Sequence, residues 1–552
     1  KTSQMVPNEL IRALLKAEGD LLWNGGIGTY IKASHEHNIE VGDRTNDALR
    51  VNGGEVRCKV IAEGGNLGLT QLGRIEYALL GGRLNTDAID NSAGVDCSDH
   101  EVNIKILLNE AVINGDMTEK QRDQLLSKMT EEVAELVLDN NRGQSGVISE
   151  SMMLAAENLD MHARLIQYLE RKGHLDIGLE FLPSKEDLLI RKQNKKGLTR
   201  PEFSVILAYA KTLLKQELLA SNLPEDPYVS HVLETAFPSI LFEKYSHYMT
   251  KHRLRREIIA MQLSNSVIND MGVGFINRLE EETGAGSSEI VQCYIVAREV
   301  FKGRQFREAI EALNLIVDAK TQTIMLRELN RLLRRGTRWF LRHRRLGIDI
   351  DATINHFAPI VQKVSEGLRD VLKGSAKKYL EKFEEELKFS GVPDETAYRT
   401  ASMSVMFSAL DIAEAVTEHN FDLHDFLEAY YSLGARFELG WVREQIKEHR
   451  VLNHWEALAR AAFRDDLDQQ QRSLTVSILK IKGEPNNLEV IIEAWINRHQ
   501  GLVQRWMQMV QDLKASAFQD YTMYSVALRE LLDLAQCAVL EVETQTGYCK
   551  LG

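Results

Sequence analysis

Asp20-Leu21-Leu22-Trp23-Asn24-Gly25-Gly26-Ile27-Gly28 decides how the first part of this chain is read. An apolar run of strand length breaks into a loop of glycines beside an asparagine. Glycine lets backbone approach other groups closely, so the stretch predicts a buried strand that ends in a crevice. The same design returns at Cys58-Lys59-Val60-Ile61-Ala62, which runs into Glu63-Gly64-Gly65-Asn66, and a third turn is expected at Asp90-Asn91-Ser92-Ala93-Gly94-Val95. Ligands of open α/β sheets collect at such carboxyl ends of strands. Asparagine suits the position because one amide both donates and accepts.

From about Asn109 the texture turns helical. Thr118-Glu119-Lys120-Gln121 has capping-box form, and Met129, Val133, Leu136 and Val137 fall on one face behind it, which predicts a helix there. Further helix starts are predicted at Ser184-Lys185-Glu186-Asp187 and at Thr199-Arg200-Pro201-Glu202, with helices continuing to the end. The fold class is therefore mostly α with an amino-terminal α/β remnant. The division is drawn as 1–115 for the α/β part and 116–552 for the helical part. No repeat of fixed period argues for a solenoid.

Composition narrows the function classes. With 552 residues, 44% of them hydrophobic and only nine prolines, the chain has enough apolar side chain for several folded domains and is no disordered tail. A formal charge of −13 argues against nucleic acid or an anionic membrane as the main partner. Cys58, Cys97, Cys293, Cys537 and Cys549 are scattered without a CxxC pair, so neither a disulfide framework nor a zinc ribbon is indicated. A reducing compartment, the cytoplasm, is expected. No apolar run of membrane-spanning length and no leader is apparent.

Other clusters have plainer readings. Asp87, Asp90, Asp96, Asp99, His100 and Glu101 have metal-ligand chemistry, but acids ahead of Val102-Asn103-Ile104-Lys105 also suit the positive end of a helix, and no metal site is assigned. Eight arginines between Arg327 and Arg345 interleave with Trp339 and Phe340, a pattern able to hold single-stranded nucleic acid. Leu326, Leu329, Leu333 and Leu341 recur at helical spacing in the same stretch, so a helix at a domain or subunit contact is preferred. His252, His343 and His424 stand apart from any nucleophile pattern. The aromatic stretch Phe237 to Met249 reads as core or interface packing.

Two motifs in order carry a resemblance. Ile61-Ala62-Glu63-Gly64-Gly65-Asn66-Leu67 followed by Asp90-Asn91-Ser92-Ala93-Gly94-Val95-Asp96-Cys97-Ser98 resembles paired motifs of the glutamate dehydrogenases. The wording Leu22-Trp23-Asn24-Gly25-Gly26-Ile27-Gly28-Thr29-Tyr30 and Asn66-Leu67-Gly68-Leu69-Thr70-Gln71 is similar to the large bacterial NAD-specific branch of that family, along the whole chain. The resemblance implies a partial Rossmann-like dinucleotide-binding unit followed by a large helical domain. It implies NAD as cofactor, L-glutamate and 2-oxoglutarate as substrates, and a homo-oligomer. Asn66 and Asn91 would face the nicotinamide end of NAD, Gly64 and Gly65 would give close passage, and Ser98 would donate its hydroxyl to the substrate's side-chain carboxylate. Gly25 and Gly26 would line the nicotinamide, where shorter relatives carry Pro-Cys-Ala or Pro-Ala-Ala.

The family's GxGxxG turn and its lysine-bearing and aspartate-bearing segments are not found. They are expected upstream of Lys1, so no catalytic residue is assigned here, and the chain alone is expected to lack dehydrogenase activity. The different reading is a helical scaffolding or regulatory module that mediates oligomerisation without chemistry of its own.

Overall fold

Parallel pairing sets the geometry of the amino-terminal part. The computed structural model describes residues 4–343, 347–451, 453–481, 488–517 and 519–545. Strand β1 (Gly19–Asn24) pairs in parallel with β4 (Cys58–Glu63), with Asn24 opposite Glu63. Both strands therefore stop at the same level, and their glycine loops leave side by side. A second parallel pair joins β2 (Ile31–Lys32) to β3 (Val51–Asn52). Ile31, Val51, Ile61, Leu69, Tyr77 and Leu84 form the small core beneath these pairs.

β1 corrects one expectation. Its apolar run predicts a buried strand, yet Leu21 and Trp23 are 57% and 64% exposed. Side chains alternate along a strand, and among the described residues β1 has β4 as its one sheet neighbour. Leu22 packs on the small core while Leu21 and Trp23 point away from it.

The expected turn at Asp90–Val95 is a junction between two helices. Asp87–Asp90 is a short helix, Asn91 is the break, and the next helix runs Ser92–Ile113. Helix thus begins well before Asn109, and Asp96, Asp99 and Glu101 lie inside it instead of ahead of it, leaving Asp87 and Asp90 as the acids of a first turn. Ser92-Ala93-Gly94 has turn composition, but a tertiary contact overrides it. Asn141 Nδ2 donates to Ser92 Oγ at 3.0 Å and to the Ile89 carbonyl at 2.9 Å, which ties the helix start to the helix Thr130–Met153.

The capping box at Thr118 is present: Thr118 N donates to Gln121 Oε1 at 2.8 Å and Gln121 N to Thr118 Oγ1 at 3.3 Å. Its helix stops at Lys128, however, and Val133, Leu136 and Val137 belong to Thr130–Met153. Met129, 1% exposed, anchors the corner between the two. Ser184 and Asp187 form the next box, as expected. At Thr199 the box partner Glu202 is buried, and Arg191 grips it with two bonds of 2.7 Å.

The chain divides into two compact units, Lys1–Gln292 and Cys293–Gly552. Phe237, Tyr248 and Met249 are core residues of the first, as read from sequence. His252 is buried there too, with its Nε2 3.1 Å from the Asn103 carbonyl. In the second unit, the arginine-rich helix Ala319–His343 buries Leu326, Leu329, Leu333 and Leu341. Its arginines face acids of the helix His454–Lys480: Arg335 meets Asp468 at 2.7 Å, and Arg338 and Arg342 both meet Asp465. Trp339 donates from Nε1 to Asp411 at 3.1 Å and stacks on His343. Arg344 and Arg345 lie outside the described residues. Among the described residues no helix is long and apolar enough to cross a membrane, and Cys58, Cys97, Cys293 and Cys537 are free thiols. Cys549 lies outside them.

Candidate functional site

The site grows from the two parallel strand ends. Gly65 N donates to the Asn24 carbonyl at 3.0 Å, which zips the loop after β4 to the end of β1. The glycines are required by this zipper. A Cβ on Gly65 would stand 2.2 Å from the Gly26 carbonyl oxygen, and one on Gly64 would stand 2.8 Å from the Trp23 ring. A Cβ on Gly68 would meet the Asn24 amide at 1.7 Å, whereas one on Gly26 would meet nothing within 4 Å. The missing Cβ atoms let Gly64 pass the Trp23 ring and Gly65 pass the Gly26 carbonyl, while Gly26 presents an open backbone surface.

Asn66 leads the loop away from the sheet and is exposed. Leu67 follows at φ 58, a left-handed conformation uncommon for a residue with a side chain. It is held there because its N–H donates to Asp87 Oδ2 at 2.8 Å. Asp87 belongs to the short helix that ends at Asn91, and Asn91 Nδ2 donates to Asn66 Oδ1 at 2.7 Å. The two asparagines, 25 positions apart in sequence, therefore form one amide pair at the loop mouth. Such a pair still offers donors on Asn66 Nδ2 and an acceptor on Asn91 Oδ1.

Beneath the pair lies a buried ionic strut. Arg74, on the helix Gln71–Leu79, donates to Glu63 Oε2 at 2.7 Å and Oε1 at 2.9 Å, and also reaches Asp87 at 3.2 Å. Glu63 is fully buried and Arg74 nearly so. Glu63 also accepts from Leu69 N at 3.2 Å, and its own N–H donates to Asp90 at 3.1 Å. Burial works against the Arg74 charge, but Glu63, Asp87 and Asp90 more than offset it and hold its pKa above the ordinary value. One guanidinium thus braces both ends of the Gly64–Leu69 loop and the helix that carries Asn91.

Ser98 sits on the helix that follows, Ser92–Ile113. It lies seven residues beyond Asn91, about two helical turns on. It is exposed, and its hydroxyl donates back to the Gly94 carbonyl at 3.3 Å. Gly25 and Gly26 lie exposed at the end of β1, with the Trp23 ring against Gly25. The structure brings together Gly26, Gly64, Gly65, Asn66 and Asn91, and sets Ser98 two turns away from them.

Three acids of the cluster are committed to protein donors. Asp87 and Asp90 serve the strut, and Asp96 accepts from Asn140 at 2.8 Å. Among the described residues no group of three or more His, Cys, Asp or Glu side chains is placed to hold a metal ion. Arg74 escaped the sequence reading altogether. No local signal marked it, since polar Gln71 shares its helical face and accepts from it at 3.3 Å.

An α/β unit with glycine loops at paired strand ends, continued by an all-helical unit, defines the class, and comparison with known proteins gives the family. Residues 1–151 match the model of the catalytic domain of bacterial NAD-glutamate dehydrogenases, and residues 195–533 match that of the glutamate dehydrogenase C-terminal region. The chain belongs to the bacterial NAD-glutamate dehydrogenase family. It is 46% identical over all of its length to the NAD-specific glutamate dehydrogenase of Pseudomonas aeruginosa. With that of Halomonas elongata it shares 44% identity over 97% of its length, and with that of Mycobacterium tuberculosis 38% over 96%. It spans 34%, 33% and 32% of these relatives, about a third of each.

Proposed function

We propose that this chain is the segment of an NAD-dependent glutamate dehydrogenase that supplies one wall of the nicotinamide crevice and the helical region behind it. The whole enzyme would oxidise L-glutamate to 2-oxoglutarate and ammonium. Bound NAD would supply the hydride acceptor. The carrying observation is the Asn91–Asn66 bond of 2.7 Å. It fixes two amides at the mouth of paired glycine loops, with donors and an acceptor left over for a ribose hydroxyl or a carboxamide. Gly26 gives unobstructed backbone beside them.

In this reading the strands are part of a Rossmann-like unit, Ser98 binds the substrate carboxylate, and the enzyme is a cytoplasmic homo-oligomer. Holding NAD above the substrate is a positioning task, and the residues in this chain serve it. Proton transfer to and from the amine falls to groups outside these 552 residues, so the chain alone turns over no glutamate.

The test is Asn66→Ala in the full-length dehydrogenase. Losing one or two neutral hydrogen bonds costs about 1 kcal/mol each, so the Michaelis constant for NAD should rise roughly five- to thirtyfold. That for glutamate should change far less. Unchanged constants for both would remove the loop from the crevice.

A further inference from the structure

The helix start Thr199-Arg200-Pro201-Glu202 reaches the candidate site. Glu202 closes its capping box, accepting from Thr199 N at 2.6 Å and from Thr199 Oγ1 at 2.7 Å, and Pro201 fixes the first turn. Arg200 is the first residue of the helix Arg200–Leu219 and so stands on rigid backbone. Its guanidinium bridges two segments of the same compact unit, Lys1–Gln292. Nε donates to Asn85 Oδ1 at 3.0 Å, and Nη1 donates at 3.0 Å to Ser149 Oγ, on the helix Thr130–Met153.

Asn85 passes the contact on. Its Nδ2 donates to Asp90 Oδ1 at 2.8 Å. The other carboxylate oxygen of Asp90 accepts from Glu63 N at 3.1 Å, where the Gly64–Leu69 loop leaves β4. Asp90 also immediately precedes Asn91. One amide thus stands between a cation and an anion, accepting from the first and donating to the second, so each bond polarises the other. Burial lowers the Arg200 pKa, Asp90 works against that, and Arg83 adds to it. A second link leaves the same helix start. Gln71 Nε2 donates to the Pro201 carbonyl at 3.4 Å, and Gln71 Oε1 accepts from Arg74 at 3.3 Å. The two links end on Asp90 and Arg74, the groups that brace the loop and the short helix carrying the Asn66–Asn91 pair.

We propose that Arg200 is a positioning residue for NAD, setting the Asn66–Asn91 amide pair through Asn85 and Asp90. This rests on the reading of that pair as a contact to the nicotinamide end. Arg200 falls in the stretch 195–533 that matches the C-terminal family model, whereas Asn85, Asp90 and both asparagines fall in 1–151, which matches the catalytic-domain model. On this assignment the helical region takes part in holding the cofactor.

The experiment measures steady-state kinetics of the full-length dehydrogenase carrying Arg200→Met, Arg200→Lys or Asn85→Leu. Arg200→Met and Asn85→Leu should each raise the Michaelis constant for NAD about three- to tenfold, the scale of coupling between neighbours in one hydrogen-bond network. The kcat at saturating NAD should change little, because an interaction made equally in ground and transition states is lost. Arg200→Lys, which keeps the charge and can make one of the two bonds, should recover part of the loss. With Asn66 and Asn91 both already replaced by alanine, Arg200→Met should add less than about twofold, since no amide is left to position. An undiminished effect in that background overturns the proposal. So do unchanged Michaelis constants in Arg200→Met and Asn85→Leu beside a raised one in Asn66→Ala, a result that leaves the reading of the pair intact. If Asn66→Ala itself has no effect, that reading falls and the relay with it. Should Arg200→Met not fold, Asn85→Leu decides by the same measure.

Discussion

Arg74 holds more of the candidate site in place than any asparagine that forms it. Its two bonds to Glu63 are buried, so removing the guanidinium strands the Glu63 carboxylate where water cannot reach it. Arg74→Gln should cost about 3–5 kcal/mol in urea unfolding of the amino-terminal unit, the usual loss when one partner of a buried pair is deleted. Double replacement of Glu63 and Arg74 by uncharged residues of similar volume should cost less than the single change. If Arg74→Gln unfolds at the same urea concentration as wild type, the strut has no structural role. Asn66 and Asn91 were singled out through two motifs read in order as a family resemblance. Arg74 was not, because nothing local distinguishes a buried arginine from a solvated one.

At the scale of elements, the register of β1 against β4 makes the loops interdependent. Gly65 packs on the Gly26 carbonyl, with no space for a methyl, while Gly26 itself faces open space. Gly65→Ala should therefore destabilise by about 1–3 kcal/mol through overpacking against rigid backbone. Gly26→Ala should stay within about 0.5 kcal/mol of wild type. Thermal melts of the two variants decide it, and equal melting temperatures would mean the loops are not zipped. Helix starts marked by capping boxes at Thr118, Ser184 and Thr199 were readable, since a cap is a contact between residues three apart. The helix start at Ser92 and the corner at Met129 were not. Each depends on a side chain buried against, or bonded to, a distant segment, and short-range pattern carries no record of that.

For the whole molecule, stability is expected to depend on acid through His162. It is 2% exposed, packs edge-on against Phe203, and burial pushes its pKa down to about 4. The unfolded chain binds a proton at this residue below about pH 6.5, and the folded chain does so only near pH 4. Unfolding thus gains protons in that window, and stability falls as pH drops from about 6.5 to 4, by roughly 3 kcal/mol in all. His162→Leu should flatten this part of the stability profile of unit Lys1–Gln292. A slope unchanged by the substitution would assign the acid sensitivity to other groups.

The sequence by itself determined the helical class, the α/β texture at the amino end, the caps and the family to which the chain belongs. All of these rest on neighbours within a few residues or on short motifs read in order. Tertiary structure alone decided that β1 carries exposed Leu21 and Trp23, that the compact units divide after Gln292, and that Asn66 meets Asn91 over a buried arginine. It also decided that Arg335, Arg338 and Arg342 of Ala319–His343 face Asp465 and Asp468 within their own unit. Charge and apolarity are properties of a residue, but burial and pairing belong to the segments that meet it, and those are fixed only when the whole chain packs.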